Sequence, residues 1–534
     1  MLVPAQEYDV CVIGSGAAGG TLASKLAHRG VRVLLVEGGP YRDPSKLNSH
    51  AWPYENKPSG AARVAVDDEQ EPCEYVGDQI SVLRARVLGG RTTHWNAVAL
   101  RFSANDFREW SVNGIEEDWP ISYEELAPYY DEAERMMVVC GTRENLEVLP
   151  DGVFIKPLAL RCSERILAEA ARRFDMRLIP VRKALATESG HGRAVCHYCG
   201  HCMLGCGVSA IFNTAEHVIP KARETGRLDL RTGWMAHELL IDDERRVRAV
   251  RLVERGGGRE EEARARIFVV CCGNIESARL LLNSRSRQFP NGIGNDDDNV
   301  GRYLHGHVVA QTYGYLKDLI GPPPGNRDGA IDHAYIPRFA PYRKVDYVGG
   351  YGFQINVRSF LYPHHARHLA GYGGDWKRRV RELHPAFSTL SGFGKVLAQR
   401  ENRVTLHSER RDANGLPVPV VRFRWHENDL AMTRDMLRVG REIYEEAGVE
   451  FLFHPDARPL GFASHEVGCV RMGADRKTSV LNASNQVWDS PNLFVVDGSS
   501  FTTFPEKNPT LTIAALALRA ADRIVNLAAR REIA

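Results

Sequence analysis

The 534-residue chain has no run of the roughly 18 apolar residues needed to cross a bilayer as a helix, so no membrane insertion is expected. Its opening residues, Met1-Leu-Val-Pro-Ala-Gln-Glu, lack the basic and apolar regions of a secretory signal. The expected location is therefore the cytoplasm, unless a partner carries the chain out. An excess of one charge is missing too: 69 Lys and Arg face 67 Asp and Glu, a formal net charge of +2, so no global field draws nucleic acid or an anionic membrane. No internal repeat or low-complexity tract is evident. Seven of the eleven cysteines (Cys11, Cys73, Cys140, Cys162, Cys271, Cys272, Cys469) stand singly or as a neighbouring pair, which suits reduced thiols better than a disulfide framework. What is present is an average soluble composition, 43% hydrophobic and 25% charged, enough to build a sizeable core. At roughly 100–200 residues per domain, two to four domains or one large domain with an insertion are expected. A disulfide-stapled module and a disordered chain are both excluded.

The first forty residues are the most informative. Tyr8-Asp-Val-Cys-Val-Ile13 reads as a buried strand running into Gly14-Ser-Gly16-Ala-Ala-Gly19. Gly20 to Arg29 has apolar residues at helical spacing (Leu22, Leu26) and ends at Gly30, and a second strand over Val31–Val36 finishes at Glu37. The glycines allow a tight turn and a close approach to a pyrophosphate, whose charge rests on amides at the helix N-terminus. Glu37 stands where an acid accepts hydrogen bonds from an adenosine ribose. The pattern therefore predicts dinucleotide binding but does not choose between FAD and NAD.

Further along, residues 40–80 are polar and punctuated by Pro40, Pro53, Pro58 and Pro72, predicting a long excursion. Ser122 followed by Glu125 predicts a capping box opening an amphipathic helix. Residues 237–272 alternate like β-strands with a turn at Gly256-Gly-Gly258, predicting a meander that returns to the nucleotide domain at Val269–Gly273. Residues 311–455 read as a mostly β substrate domain.

Five segments, in order, carry a family pattern: Arg86-Val-Leu-Gly-Gly-Arg-Thr-Thr-His94-Trp95, Val270-Cys-Cys-Gly-Asn-Ile-Glu-Ser-Ala-Arg-Leu-Leu282, Gly301-Arg-Tyr-Leu-His-Gly-His307, Ser464-His465-Glu-Val-Gly-Cys-Val-Arg-Met-Gly473, and Val495-Val-Asp497-Gly-Ser-Ser-Phe501 with Asn508-Pro-Thr-Leu-Thr-Ile-Ala514. With these the chain resembles the glucose–methanol–choline (GMC) flavin oxidoreductases over most of its length, nearest to the bacterial sugar and glycoside oxidoreductase and pyranose oxidase-like branch. The resemblance selects FAD. It implies an α/β fold: a Rossmann-like FAD-binding domain (residues 1–110, 196–310 and 456–534), a connecting helical and loop segment (111–195), and a mainly antiparallel-β substrate domain (311–455), the p-hydroxybenzoate hydroxylase-like architecture.

The expected cofactor-binding residues are Gly14, Gly16, Gly19, Glu37, Gly89, Gly90, His94, Trp95, Asn96, Asp497, Gly498, Pro509 and Thr510. Gly89-Gly90 would let the backbone pass where a Cβ would collide with the flavin. Residues 509–523 predict a long helix with Pro509 at its first position and its positive end toward the ring. The segment with His94 resembles the pyranose oxidase variant, in which that histidine is joined covalently to the flavin; other relatives keep the histidine without the bond. Alcohol oxidation needs a base within reach of the hydroxyl proton, and the resemblance gives that role to His465 and orientation of the hydroxyl to Asn508.

Cys196-His-Tyr-Cys199-Gly-His-Cys202-Met-Leu-Gly-Cys206 has a spacing that can wrap an iron–sulfur cluster, with zinc or unmetallated thiols as alternatives. The expected reaction is oxidation of a secondary hydroxyl of a pyranose or glycoside, at carbon 3 in one version, to a keto-sugar. Gln354 and Asn356 are expected to bond hydroxyls, and Tyr351, Phe353 or Trp376 to stack on a sugar ring. The acceptor stays open between oxygen and a partner that takes the electrons, as in an iron–sulfur dehydrogenase subunit. So does assembly with a small accessory subunit or as a homo-oligomer.

Overall fold

The computed structural model describes residues 8–47, 66, 68–80, 82–200, 202–321, 330, 332–357 and 363–529. Much of the polar stretch, including Pro53 and Pro58, lies outside the described residues, as does the N-terminal Met1–Glu7 segment.

Five strands form a parallel sheet in the order Leu493–Val495, Ala265–Val270, Tyr8–Ile13, Val33–Glu37 and Leu228–Thr232, with Val10 opposite both Ile267 and Val33. Val10, Val12, Leu34 and Leu35 are fully buried, as expected of a parallel sheet covered on both faces. The intervening helix, Ala17–His28, starts earlier than its apolar pattern suggests, because Gly19 lies within its first turn. A Cβ there would fall 1.8 Å from the carbonyl oxygen of Gly14, so only glycine lets the helix begin directly against the turn.

Ser122 caps the helix Tyr123–Met137, its hydroxyl accepting the Glu125 N–H at 3.2 Å. The box is only half formed, since the Glu125 carboxylate instead accepts from Arg519 of the C-terminal helix. That helix runs Thr510–Ala529, one residue later than expected, with Pro509 just before it. It buries Leu511, Ala514, Leu518 and Ile524 against the rest of the core.

The meander forms, with a correction. Trp234–Ile241, Val247–Glu254 and Glu260–Ala263 make a separate three-stranded antiparallel sheet, and only Ala265–Val270 returns to the parallel one. A six-stranded antiparallel sheet is ordered Val449–Phe453, His307–Leu316, Phe387–Lys395, Tyr351–Val357, Ala334–Ile336, Ile179–Pro180. Helix Glu427–Glu446 packs against it, Met432 and Met436 filling the space left by Gly392 and Gly394. The register of this sheet puts Ser391 opposite Gln311 on one side and Gln354 on the other, which sets three polar side chains in a row across it. A fourth sheet joins Arg403–Arg411, Pro417–Phe423 and Glu74–Gly77. No described helix is long and apolar enough to cross a membrane.

Candidate active site

One cavity of about 600 Å³ runs from the Gly14 turn, past the C-terminal ends of the parallel strands, to the polar row of the antiparallel sheet. Of the residues expected to hold a cofactor, Gly14, Gly16, Glu37, Gly90, His94, Trp95, Asn96, Asp497, Gly498, Pro509 and Thr510 line it. Gly19 and Gly89 stand behind the wall. Gly89 has φ +90°, and a Cβ there would lie 2.7 Å from Asn213 Oδ1, so the turn closes only with glycine.

At the turn, the helix Ala17–His28 has no side-chain cap, leaving its first amides open to an anion. A Cβ on Gly16 would meet nothing, so the turn leaves open space there. The Glu37 carboxylate accepts hydrogen bonds from Ser15 N (3.1 Å), Ser15 Oγ (2.6 Å) and Gly39 N (2.8 Å), and burial raises its pKa. Asp497 is also buried with a raised pKa; it accepts from Gly273 N (3.0 Å), Ser277 Oγ (2.5 Å), and the amide (2.8 Å) and hydroxyl (2.5 Å) of Ser499. Its oxygens thus brace the strand ends. Mid-cavity, two buried polar atoms have no partner: His94 Nε2 and Asn96 Oδ1. Burial lowers the His94 pKa to about 4, so its ring is neutral at physiological pH. Open amides, a glycine turn and orphaned polar atoms along one elongated cavity fit a dinucleotide.

At the far end, His465 Nε2 faces Asn508 Nδ2 at 3.4 Å, and Asn508 Oδ1 accepts from Gln354 Nε2 at 2.7 Å. The turn before His465 is strained: Ala463 and Ser464 have φ of +49° and +61°. Arg91 fixes it by donating to Ser464 O (2.6 Å) and pairing with Glu466 (2.6 Å). Burial, with His307 and Arg91 adding, pushes the His465 pKa well below the ordinary value. The Asn508 loop is pinned by a buried, charge-balanced group: Lys507 reaches Asp106 (2.7 Å) and Glu506 (2.9 Å), and Arg338 reaches the same two carboxylates.

Gln354 and Asn356 both line the cavity, with Asn356 Nδ2 donating to Asp332 at 2.7 Å. The three proposed stacking residues do not. Strand alternation turns Tyr351 and Phe353 to the opposite face, where they pack edge to face and the Tyr351 hydroxyl donates to Asp435 at 2.7 Å. Trp376 packs in a separate cluster with Tyr313 and Phe387. The aromatic that faces His465 is Phe393, with ring centroids 6.0 Å apart. Sequence reasoning missed Phe393, Ser391, Gln311, Asp332, Arg91 and His307. His307 and Arg91 stand inside motif segments, Phe393, Ser391 and Gln311 carry no local signal because cross-strand register brings them in, and Asp332, outside any strand, is placed by the hydrogen bond it accepts from Asn356.

None of the eleven cysteines forms a disulfide, and Cys162 is exposed. Burial pushes the Cys196 thiol up to about 12, with the neighbouring thiols of Cys202, Cys206 and Cys199 adding to the shift. Among the described residues, which exclude His201, no group of three or more His, Cys, Asp or Glu side chains is arranged to hold a metal.

Two family models described as GMC oxidoreductase match residues 8–309 and 398–517, and the chain belongs to that family. It is accordingly an FAD-dependent oxidoreductase acting on CH–OH groups. It is 31% identical to 2-methyl-1,2-propanediol dehydrogenase of Mycolicibacterium austroafricanum (98% of this chain, 96% of the relative). Identity is 30% to 6'''-hydroxyparomomycin C oxidase of Streptomyces lividus (98% and 92%), and 27% to the fructose dehydrogenase large subunit of Gluconobacter japonicus (97% and 98%). In fold it resembles the crystal structure of pyridoxine 4-oxidase from Mesorbium loti, with TM-score 0.67 and 19% identity over 97% of this chain and 99% of that one.

Proposed function

We propose that this chain oxidises a secondary hydroxyl of a pyranose sugar or glycoside, with carbon 3 a candidate position, to the keto-sugar. The observation that carries the reading is the facing pair His465 Nε2 and Asn508 Nδ2, 3.4 Å apart, in the same cavity as the Gly14 turn. FAD, when bound, supplies the acceptor for the hydride leaving the carbinol carbon. Gly14, Gly16 and the open first-turn amides of the helix Ala17–His28 would hold its pyrophosphate, Glu37 its ribose, and His94, Asn96, Pro509 and Thr510 its ring. A substrate hydroxyl set between the pair accepts a hydrogen bond from the Asn508 amide and gives its proton to His465 Nε2. A neutral imidazole is needed for that, and burial keeps His465 neutral. Gln354 holds the Asn508 amide with its NH2 toward the hydroxyl, and Asn356, Gln311 and Ser391 offer the polar atoms that a sugar face requires.

Relatives named as oxidases and others named as dehydrogenases or dehydrogenase subunits support a second reading of the acceptor, in which electrons leave to a partner protein rather than to oxygen. The test is an anaerobic panel of sugars, glycosides and simple alcohols followed by flavin bleaching. Bleaching by pyranoses in preference to simple diols supports the proposal, and bleaching by small alcohols alone contradicts it. Peroxide formation in air, set against turnover with an artificial acceptor, separates the two acceptor readings.

A further inference from the structure

We propose that His307 is a positioning residue that fixes the tautomer of His465: by accepting the Nδ1–H of His465, it keeps the Nε2 lone pair of His465 bare toward the substrate hydroxyl. The inference rests on the reading of His465 as the base. His307 Nε2 lies 2.8 Å from the carbonyl oxygen of Pro505, which can only accept, so this nitrogen carries a hydrogen. His307 is fully buried, and burial lowers its pKa to about 4, so near neutral pH the ring holds that one proton and Nδ1 is bare.

The bare nitrogen is 3.0 Å from His465 Nδ1. Two lone pairs at that distance would repel, so His465 Nδ1 carries the hydrogen between them. Its burial likewise allows His465 a single proton, and that proton is now placed. Nε2 is left unprotonated on the side of Asn508.

The His307 ring cannot turn to undo this. Phe504 stacks on it with centroids 4.3 Å apart and planes 12° apart, and Phe393 meets it edge on at 5.6 Å. Pro505 and Asn508 belong to the same short loop, so one segment orients both partners of the hydroxyl: Asn508 directly, and His465 through His307. Donors and acceptors form one directed chain, from His465 Nδ1–H to His307 Nδ1 and from His307 Nε2–H to Pro505 O. On the other side, Gln354 Nε2–H donates to Asn508 Oδ1.

A packing role for His307 would leave the His465 tautomer indifferent to its replacement, and nitrogen NMR of 15N-histidine-labelled holoenzyme reads that difference directly. With the signals of His465 assigned by their loss in His465→Gln, the expected pattern is a protonated Nδ1 and a bare Nε2. In His307→Leu, which can accept nothing, the Nε2–H form should appear. The flavin-reduction rate constant should then fall roughly 10- to 100-fold at saturating sugar, with KM nearly unchanged. His307→Asn, whose Oδ1 takes the place of Nδ1, should restore the tautomer and most of the rate.

A wild-type His465 protonated at Nε2, or an unchanged tautomer in His307→Leu, overturns the proposal. The wild-type spectrum decides the first point even if the leucine variant fails to fold. The expected spectrum in an enzyme that no alcohol reduces would support the His307 arrangement while overturning the reading of His465 as a base.

Discussion

At the scale of single residues, the pair at the cavity's end makes two predictions. Replacing His465 with alanine should retain FAD yet slow flavin reduction by substrate about 10²- to 10⁴-fold, the usual contribution of a general base, as read by stopped flow. Burial sets the sign of the pH dependence. Only the neutral ring can take the hydroxyl proton, and its pKa lies well below the ordinary value of about 6.5, so the rate should be level at and above neutrality and fall only on acidification. Asn508→Asp would set a carboxylate where an amide now lies 3.4 Å from Nε2, favour the imidazolium, and move the acid limb to higher pH. A limb that stays put or moves down contradicts this placement.

His465 and Asn508 were legible in the sequence because each stands inside a contiguous motif. His307 lies 158 positions from His465 and gained its meaning only when the Pro505 carbonyl fixed its protons. Arg91 was passed over because a surface ion pair and the buttress of a strained turn look alike in a string of letters.

At the scale of elements, glycine and alternation decide the outcome. Gly89→Ala forces a Cβ against Asn213 at φ +90° and should cost about 1–3 kcal/mol, lowering both the thermal midpoint and the retained FAD. Unchanged values for both would mean that the turn relaxes freely. Period two predicts a contrast on the strand Tyr351–Val357: Gln354→Leu should slow flavin reduction by freeing the Asn508 amide, whereas Tyr351→Phe, on the other face, should leave it within about twofold. Equal effects would show that the two faces are not separate. The opening strand–helix–strand unit and the C-terminal helix could be read ahead because their signals are local. The meander's departure into its own sheet could not, since alternation predicts strands but not their partners. The proposed stacking at Tyr351 and Phe353 failed for the same reason: aromatic content was visible, and facing was not.

At the scale of the whole molecule, buried neutral histidines tie stability to pH. His94, His217 and His307 have pKa values near 4 and His305 near 3, each lowered chiefly by burial. The unfolded chain takes up protons at these four positions as pH falls through about 6.5, and the native state does not until about 4, or about 3 for His305. Stability contributed by holding them neutral is therefore present above about pH 6.5 and lost steadily between 6.5 and 4. The thermal midpoint should drop across that window, and a midpoint flat from pH 7 to 4.5 would contradict the burial of these rings. Membership of the GMC oxidoreductases and a cavity linking the Gly14 turn to His465 bring fold and chemistry together at this scale.

The most direct test of that connection is anaerobic stopped-flow mixing of the FAD-loaded enzyme with a bleaching sugar, wild type beside His465→Ala. Rapid loss of the oxidised flavin band is expected in the wild type and a rate at least a hundredfold lower in the variant, about 10²-fold being the lower end for a lost general base. Equal rates in the two proteins would contradict it.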